Sequence, residues 1–128
     1  MEEDIIKRRI KERERVINEA KNFANSLKGS FSAFLIGSYA RGDFNAWSDV
    51  DVLIIGNFME ENPIKRLEKI DFPPSFEVVP LTEEEFKKAL EKNNPIIWDV
   101  KSVGLVLRDD LNLCSKYNLR CSEGKNNR

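Results

Sequence analysis

The stretch Ala33-Phe34-Leu35-Ile36-Gly37-Ser38-Tyr39-Ala40-Arg41-Gly42-Asp43-Phe44-Asn45-Ala46-Trp47-Ser48-Asp49-Val50-Asp51-Val52-Leu53-Ile54-Ile55 decides the fold. Its opening apolar run reads as a strand that ends at Gly37-Ser38, where a helix or tight turn begins. A glycine followed by a small hydroxyl residue lets backbone N–H groups and an Oγ converge on one point, as a phosphate requires. Ten residues lie between Ser38 and Asp49. Asp49-Val50-Asp51 then opens a second apolar run. Alternation along a strand puts both carboxylates on one face and Val50 and Val52 on the other. Two neighbouring carboxylates are unfavourable to bury without a counter-charge. A divalent cation answers that need, and hard oxygen ligands suit Mg²⁺ holding the phosphates of a nucleotide.

Gly37-Ser38, a spacer and Asp49-x-Asp51 between two apolar strands resemble the signature of the DNA polymerase beta-like nucleotidyltransferase superfamily. The small size is similar to the minimal nucleotidyltransferases of archaea and bacteria. The likeness is close over residues 34–55, and the remaining elements follow the domain's order more loosely. It implies an α/β fold, a small mixed sheet with helices packed against it. It also implies transfer of a nucleoside monophosphate from an NTP, with ATP expected, in the presence of Mg²⁺ or Mn²⁺. By the same resemblance Gly37, Ser38 and Arg41 bind nucleotide, while Asp49, Asp51 and Glu77 act as metal ligands and catalytic carboxylates. Glu77 takes the third-carboxylate place, where the family more often has aspartate.

Working outward, residues 4–28 read as one long amphipathic helix, with Ile6, Ile10, Ile17, Ala24 and Leu27 at helical spacing and Val16, Ala20 and Phe23 widening the stripe. Glu2, Glu3 and Asp4 stand at the end that favours acidic side chains, and Gly29 is the stop. Lys7, Arg8, Arg9, Lys11, Arg13 and Arg15 are read as a solvated face, since Glu12, Glu14 and Glu19 offer pairs along the helix. Residues 31–36 and 49–55 are the first two strands. Arg41 has two competing uses, phosphate or an ion pair with Asp43. Phe44 and Trp47 are expected to pack the linker, or one of them to border a base or a partner.

Pro63 opens a helix with Ile64, Leu67 and Ile70 inward, and Phe72-Pro73-Pro74-Ser75 is a loop. Residues 76–79 form a third strand in which Glu77 alone is acidic. Thr82 and Glu85 make a capping box, with Leu81 stapling to Phe86, so the acids at 83–85 are structural. Asn94-Pro95 starts another helix, Gly104 stops it, and residues 105–107 are the expected final strand. Residues 111–119 form a short helix, and a frayed tail runs from 123 to 128.

The 128 residues fit one domain, with a core over about 31–110. Basic and acidic residues number 21 and 22, a formal charge of -1, which disfavours a nucleic-acid acceptor without forbidding a local basic groove. The chain has no histidine, which excludes Ser-His-Asp chemistry and histidine zinc sites. Neither a signal peptide nor a membrane-length apolar run is seen, so a cytoplasmic protein is expected. Cys114 and Cys121 are accordingly read as free packing thiols, although a disulfide would suit a hyperthermophilic source. Such a small core, with Phe44, Trp47 and Trp98 outside it, implies a homodimer or a helical partner. The resemblance makes that partner a HEPN-type toxin, with this chain as antitoxin and a toxin tyrosine as acceptor. A nucleotide- or partner-binding subunit with little catalysis is the alternative, as is transfer to a small molecule or RNA.

Overall fold

A computed structural model describes residues 2–123. The helix α1 (Glu2–Ser26) leads into β1 (Phe31–Ile36), the short α2 (Gly37–Arg41) and β2 (Val50–Gly56). Then follow α3 (Pro63–Leu67), β3 (Phe76–Leu81), α4 (Glu83–Glu91), α5 (Pro95–Ser102), β4 (Leu105–Asp109), α6 (Leu113–Lys116) and β5 (Ser122–Glu123). The five strands form one mixed sheet in the order β3-β2-β1-β4-β5. β1 pairs antiparallel with both β2 and β4, whereas β2–β3 and β4–β5 are parallel. This is the α/β architecture expected, and the first three strands lie within a residue or two of their predicted bounds.

Alternation along β1 and β2 separates two apolar cores. Ala33, Leu35, Val52 and Ile54 face α1, where Val16, Ile17, Ala20, Phe23 and Ala24 cover them. Phe34, Ile36, Leu53 and Ile55 face Phe86 of α4, Ile97 and Val100 of α5 and Leu113 of α6. Every one of these side chains is buried. Covering both faces explains why the central strands read as near-continuous apolar runs. The Thr82–Glu85 capping box forms as predicted, with Thr82 Oγ1 accepting from the Glu85 N–H and the Glu85 carboxylate accepting from the Thr82 N–H.

Four expectations are corrected. Ile6 and Ile10 lie on an exposed stretch of α1, because a 25-residue helix of about 37 Å is longer than the sheet it covers. In α3 it is Arg66 that turns inward, 2% exposed, while Ile64 is 68% exposed. Leu67 and Ile70 do pack against the core, partly buried, so Ile64 alone departs from expectation, and the guanidinium of Arg66 finds five acceptors on the inward side. Cys114 and Cys121 are joined in a disulfide, which ties α6 to the segment leading into β5. Finally, β4 is not the last strand, since Ser122–Glu123 adds β5 where the tail was expected to begin. The rest of that tail lies outside the described residues. Among the described residues no helix is long and apolar enough to cross a membrane.

Candidate active site

The site is assembled where β1 ends. Ile36 pairs with Asp51 in the antiparallel register, and Asp51 pairs with Glu77 across the parallel one. Parity then places Asp51 and Glu77 side by side on the same face of the sheet. Gly37 follows Ile36 with φ +79°, the left-handed conformation that glycine tolerates best. A Cβ at Gly37 would stand 2.1 Å from an Asp51 carboxylate oxygen. Glycine is therefore required twice, once by the backbone and once by the acid lying against it.

Asp51 is half-buried, and its carboxyl is pushed up from 3.8 to about 6. Burial is the largest cause, followed by the negative charges of Glu77 and Asp49 and by a hydrogen bond shared with Glu77. The Arg41 guanidinium opposes the shift only weakly. Asp49 is exposed, directly before β2, and Glu77 is exposed on β3. Thus Asp51 and Glu77 meet, and Asp49 is felt through its charge. Among the described residues no three acidic, cysteine or histidine side chains stand close enough together to hold a metal ion. The donor set itself suits a hard divalent cation, because hard cations take carboxylate oxygens and complete their shells with phosphate and water.

The phosphate side differs from expectation at Gly37. Its N–H donates to Asp99 Oδ2 at 2.8 Å and is therefore committed, leaving Ser38 and the turn after it as the open part of the cradle. Arg41 forms the expected ion pair with Asp43, Nε to Oδ2 at 3.3 Å, and a shorter one from Nη1 to Asp99 at 2.9 Å. Its side chain stays 44% exposed, so it borders the site without filling it.

Asp99 is the residue that the sequence reading missed. Its signal was a lone acid between Ile97 and Val100, both fully buried in α5. Basic residues of α1 were also more than a solvated face. Arg13 donates to the carbonyls of Tyr39 and Ala40 at 2.7 and 2.8 Å, and Arg9 to that of Gly42 at 2.9 Å. These donors meet the unpaired carbonyls at the end of α2. Phe44 is buried, stacked on Tyr39 at 4.4 Å and lying under Arg9 at 4.2 Å, while Trp47 is 90% exposed.

The sequence profile of the nucleotidyltransferase domain matches residues 17–123, which include Gly37, Ser38, Arg41, Asp49, Asp51, Glu77 and Asp99. The chain belongs to that family. This nucleotidyltransferase domain is 45% identical over 42 residues to a putative protein adenylyltransferase of Methanocaldococcus jannaschii. That alignment covers 29% of the chain and 42% of the relative, so the chain spans less than half of the relative's length. The fold is similar to the crystal structure of a putative nucleotidyltransferase from Sulfolobus solfataricus, with a TM-score of 0.53 and 25% identity. The match covers 62% of this chain and 78% of that one. The expected family and fold class both stand.

Proposed function

We propose that this domain transfers AMP from ATP to a hydroxyl acceptor with the help of Mg²⁺ or Mn²⁺. The observation that carries the reading is Asp51, half-buried against Gly37 and pressed on Glu77. A fold gains nothing from acids so crowded unless a cation or a proton is shared between them. Asp49, Asp51 and Glu77 would hold the metal, with the nucleotide's phosphates and water supplying the ligands these acids do not. The metal, when bound, neutralises phosphate charge and lowers the pKa of the acceptor hydroxyl. Ser38 and Arg41 would orient the triphosphate. The acceptor oxygen bonds to the α-phosphorus, the bond from that phosphorus to the bridging oxygen breaks, and pyrophosphate leaves with the electron pair. Glu77 is the exposed carboxylate of the pair, and it takes the acceptor's proton.

A protein hydroxyl is the acceptor we favour, because the M. jannaschii relative is named a putative protein adenylyltransferase. A tyrosine of a HEPN-type helical toxin, encountered in the cytoplasm by this chain alone or as a homodimer, is the specific form of that reading. The absence of a formed three-acid cluster among the described residues favours a second reading, a nucleotide-binding antitoxin subunit with little catalysis. Calorimetry separates them from a third outcome, no nucleotide site at all. ATP should bind more tightly with Mg²⁺ or Mn²⁺ than with EDTA, and the Asp49→Asn, Asp51→Asn double variant should lose the difference. Equal affinity with and without metal in the native chain refutes the metal–nucleotide site. Metal-dependent binding without label transfer from ATP to a co-purified partner selects the binding subunit.

A further inference from the structure

Asp99 lies buried in α5, about a turn after the Asn94 cap, and meets Gly37 through the backbone N–H, while Asp51 lies where a Cβ of Gly37 would stand. Among the described residues only one of the Asp99 oxygens is used. Oδ2 accepts from the Gly37 N–H at 2.8 Å and from Arg41 Nη1 at 2.9 Å, the first and last residues of α2. Oδ1 is buried and has no hydrogen-bond partner among the described residues. Asp109 is a useful contrast. Its Oδ1 accepts from Ser32 Oγ and the Leu113 N–H, and its Oδ2 from the Cys114 N–H, so both oxygens serve the fold. A buried carboxylate with one idle oxygen is a poor structural fastener, because an unmet lone pair is unfavourable. A negative charge beside a phosphate cradle also weakens the cradle's pull on anions. Its presence must be explained by geometry.

We propose that Asp99 is a positioning residue for nucleotide binding: its single oxygen ties Gly37 to Arg41 across α2, which fixes the Ser38 turn and aims the guanidinium at the triphosphate. The proposal rests on the nucleotide-binding reading above. Arg41 spends Nε on Asp43 and Nη1 on Asp99, and among the described residues Nη2 meets no acceptor. The planar fork is thus held by two corners with the third free for a phosphate oxygen. Pre-ordering the turn and the fork removes part of the entropy lost when the triphosphate arrives.

The test joins native-state exchange to a double-mutant cycle. Hydrogen exchange of the Gly37 amide, read by NMR without nucleotide, should be at least about tenfold faster in Asp99→Ala. Asp99→Asn should raise the KM for Mg-ATP about tenfold while kcat changes less than about threefold, because it loosens binding common to ground and transition states. Arg41→Gln should weaken Mg-ATP binding about tenfold in the native chain and by less than about twofold when Asp99→Asn is already present. Additive effects of the two changes, or an unaltered KM in Asp99→Asn, would overturn the positioning role even with Mg-ATP binding intact. An unaltered Gly37 exchange rate would remove the clamp itself. A native chain that protects Gly37 yet binds no Mg-ATP would instead sink the nucleotide reading, and Asp99 would be left as a structural residue. If Asp99→Ala does not fold, the cycle with Asp99→Asn decides alone.

Discussion

Two regions of this molecule take charge out of water, and they do so in opposite ways. Around Arg66, a fully buried guanidinium donates to the carbonyls of Glu60, Glu61 and Pro80 and to both oxygens of Glu85. Its five N–H groups have five acceptors, and Glu85 closes the capping box of α4 as well. At the other site Asp51 is pressed between a glycine and a second carboxylate, with Asp49 adding a third negative charge. The first cluster is complete within the chain. The second is a cluster of like charges, which the proposed metal would balance. A satisfied network of opposite charges marks structure, whereas a tolerated crowd of like charges marks a place where a ligand is expected.

The comparison breaks if substitutions in the two clusters have similar consequences. The largest effect is expected at Asp51→Asn, which removes a proposed metal ligand and should lower nucleotidyl transfer by about 10³-fold or more. The metal-free melting temperature should not fall, since a repulsive charge has gone. Glu77→Gln comes next, with a loss of roughly 10²-fold in transfer and weakened but surviving metal–ATP binding. Both are read by transfer of label from ATP, and a melting curve run in parallel checks the fold. Arg66→Ala should reverse the pattern. It strands three carbonyls and a carboxylate, so the domain should lose about 3 kcal/mol of unfolding free energy in urea while the folded fraction keeps its transfer rate. If Arg66→Ala abolished transfer in well-folded protein, the division into a structural and a functional cluster would be wrong.

The two clusters were not equally legible in the sequence. Gly37, Asp49 and Asp51 could be found because their signal is local: a strand end, a required glycine, and parity along one strand. Glu77 could be proposed only through the family resemblance, as the lone acid of its strand, and its pairing with Asp51 depends on a parallel register 26 residues away that no local pattern specifies. Arg66 and Asp99 were hidden for a related reason. Hydrophobic periodicity assigns charged side chains to the outside, and it fails where a charge turns inward to meet distant backbone groups. The partners of Arg66 include Pro80 and Glu85, and those of Asp99 are Gly37 and Arg41, all contacts made only after the strands have paired. The Cys114–Cys121 disulfide was misread because compartment chemistry was weighed above spacing, and the chain folds α6 back so that the two meet.

The smallest effect is also the most direct measure of the contrast, because the two clusters bend the pH dependence of stability in opposite directions. Glu85 is held below the usual carboxylate range, chiefly by its hydrogen bond to Arg66. Its contribution is therefore present at neutral pH and is lost as acid protonates it in the folded chain. Asp51 runs the other way. With a folded value of about 6 against an ordinary 3.8, the folded chain keeps a proton that the unfolded chain has released. Its contribution to stability is fully present below about pH 4, falls as the pH rises towards about 6, and is flat above that. Because Asp51 is only half-buried, solvent screening brings the effect down to about 1 kcal/mol, or roughly 3–6 °C in melting temperature. Other paired carboxylates share the sign of Glu85, so the informative quantity is the difference between native and Asp51→Asn melting curves, recorded without metal from pH 4 to 7.5. The variant should gain on the native chain as the pH rises and reach its full advantage near pH 7. Adding Mg²⁺ with ATP should close or reverse that gap, since only the native carboxylate gains a counter-charge. Parallel curves across the whole range would mean that Asp51 titrates normally, and the crowding that distinguishes this cluster from that of Arg66 would not exist in solution.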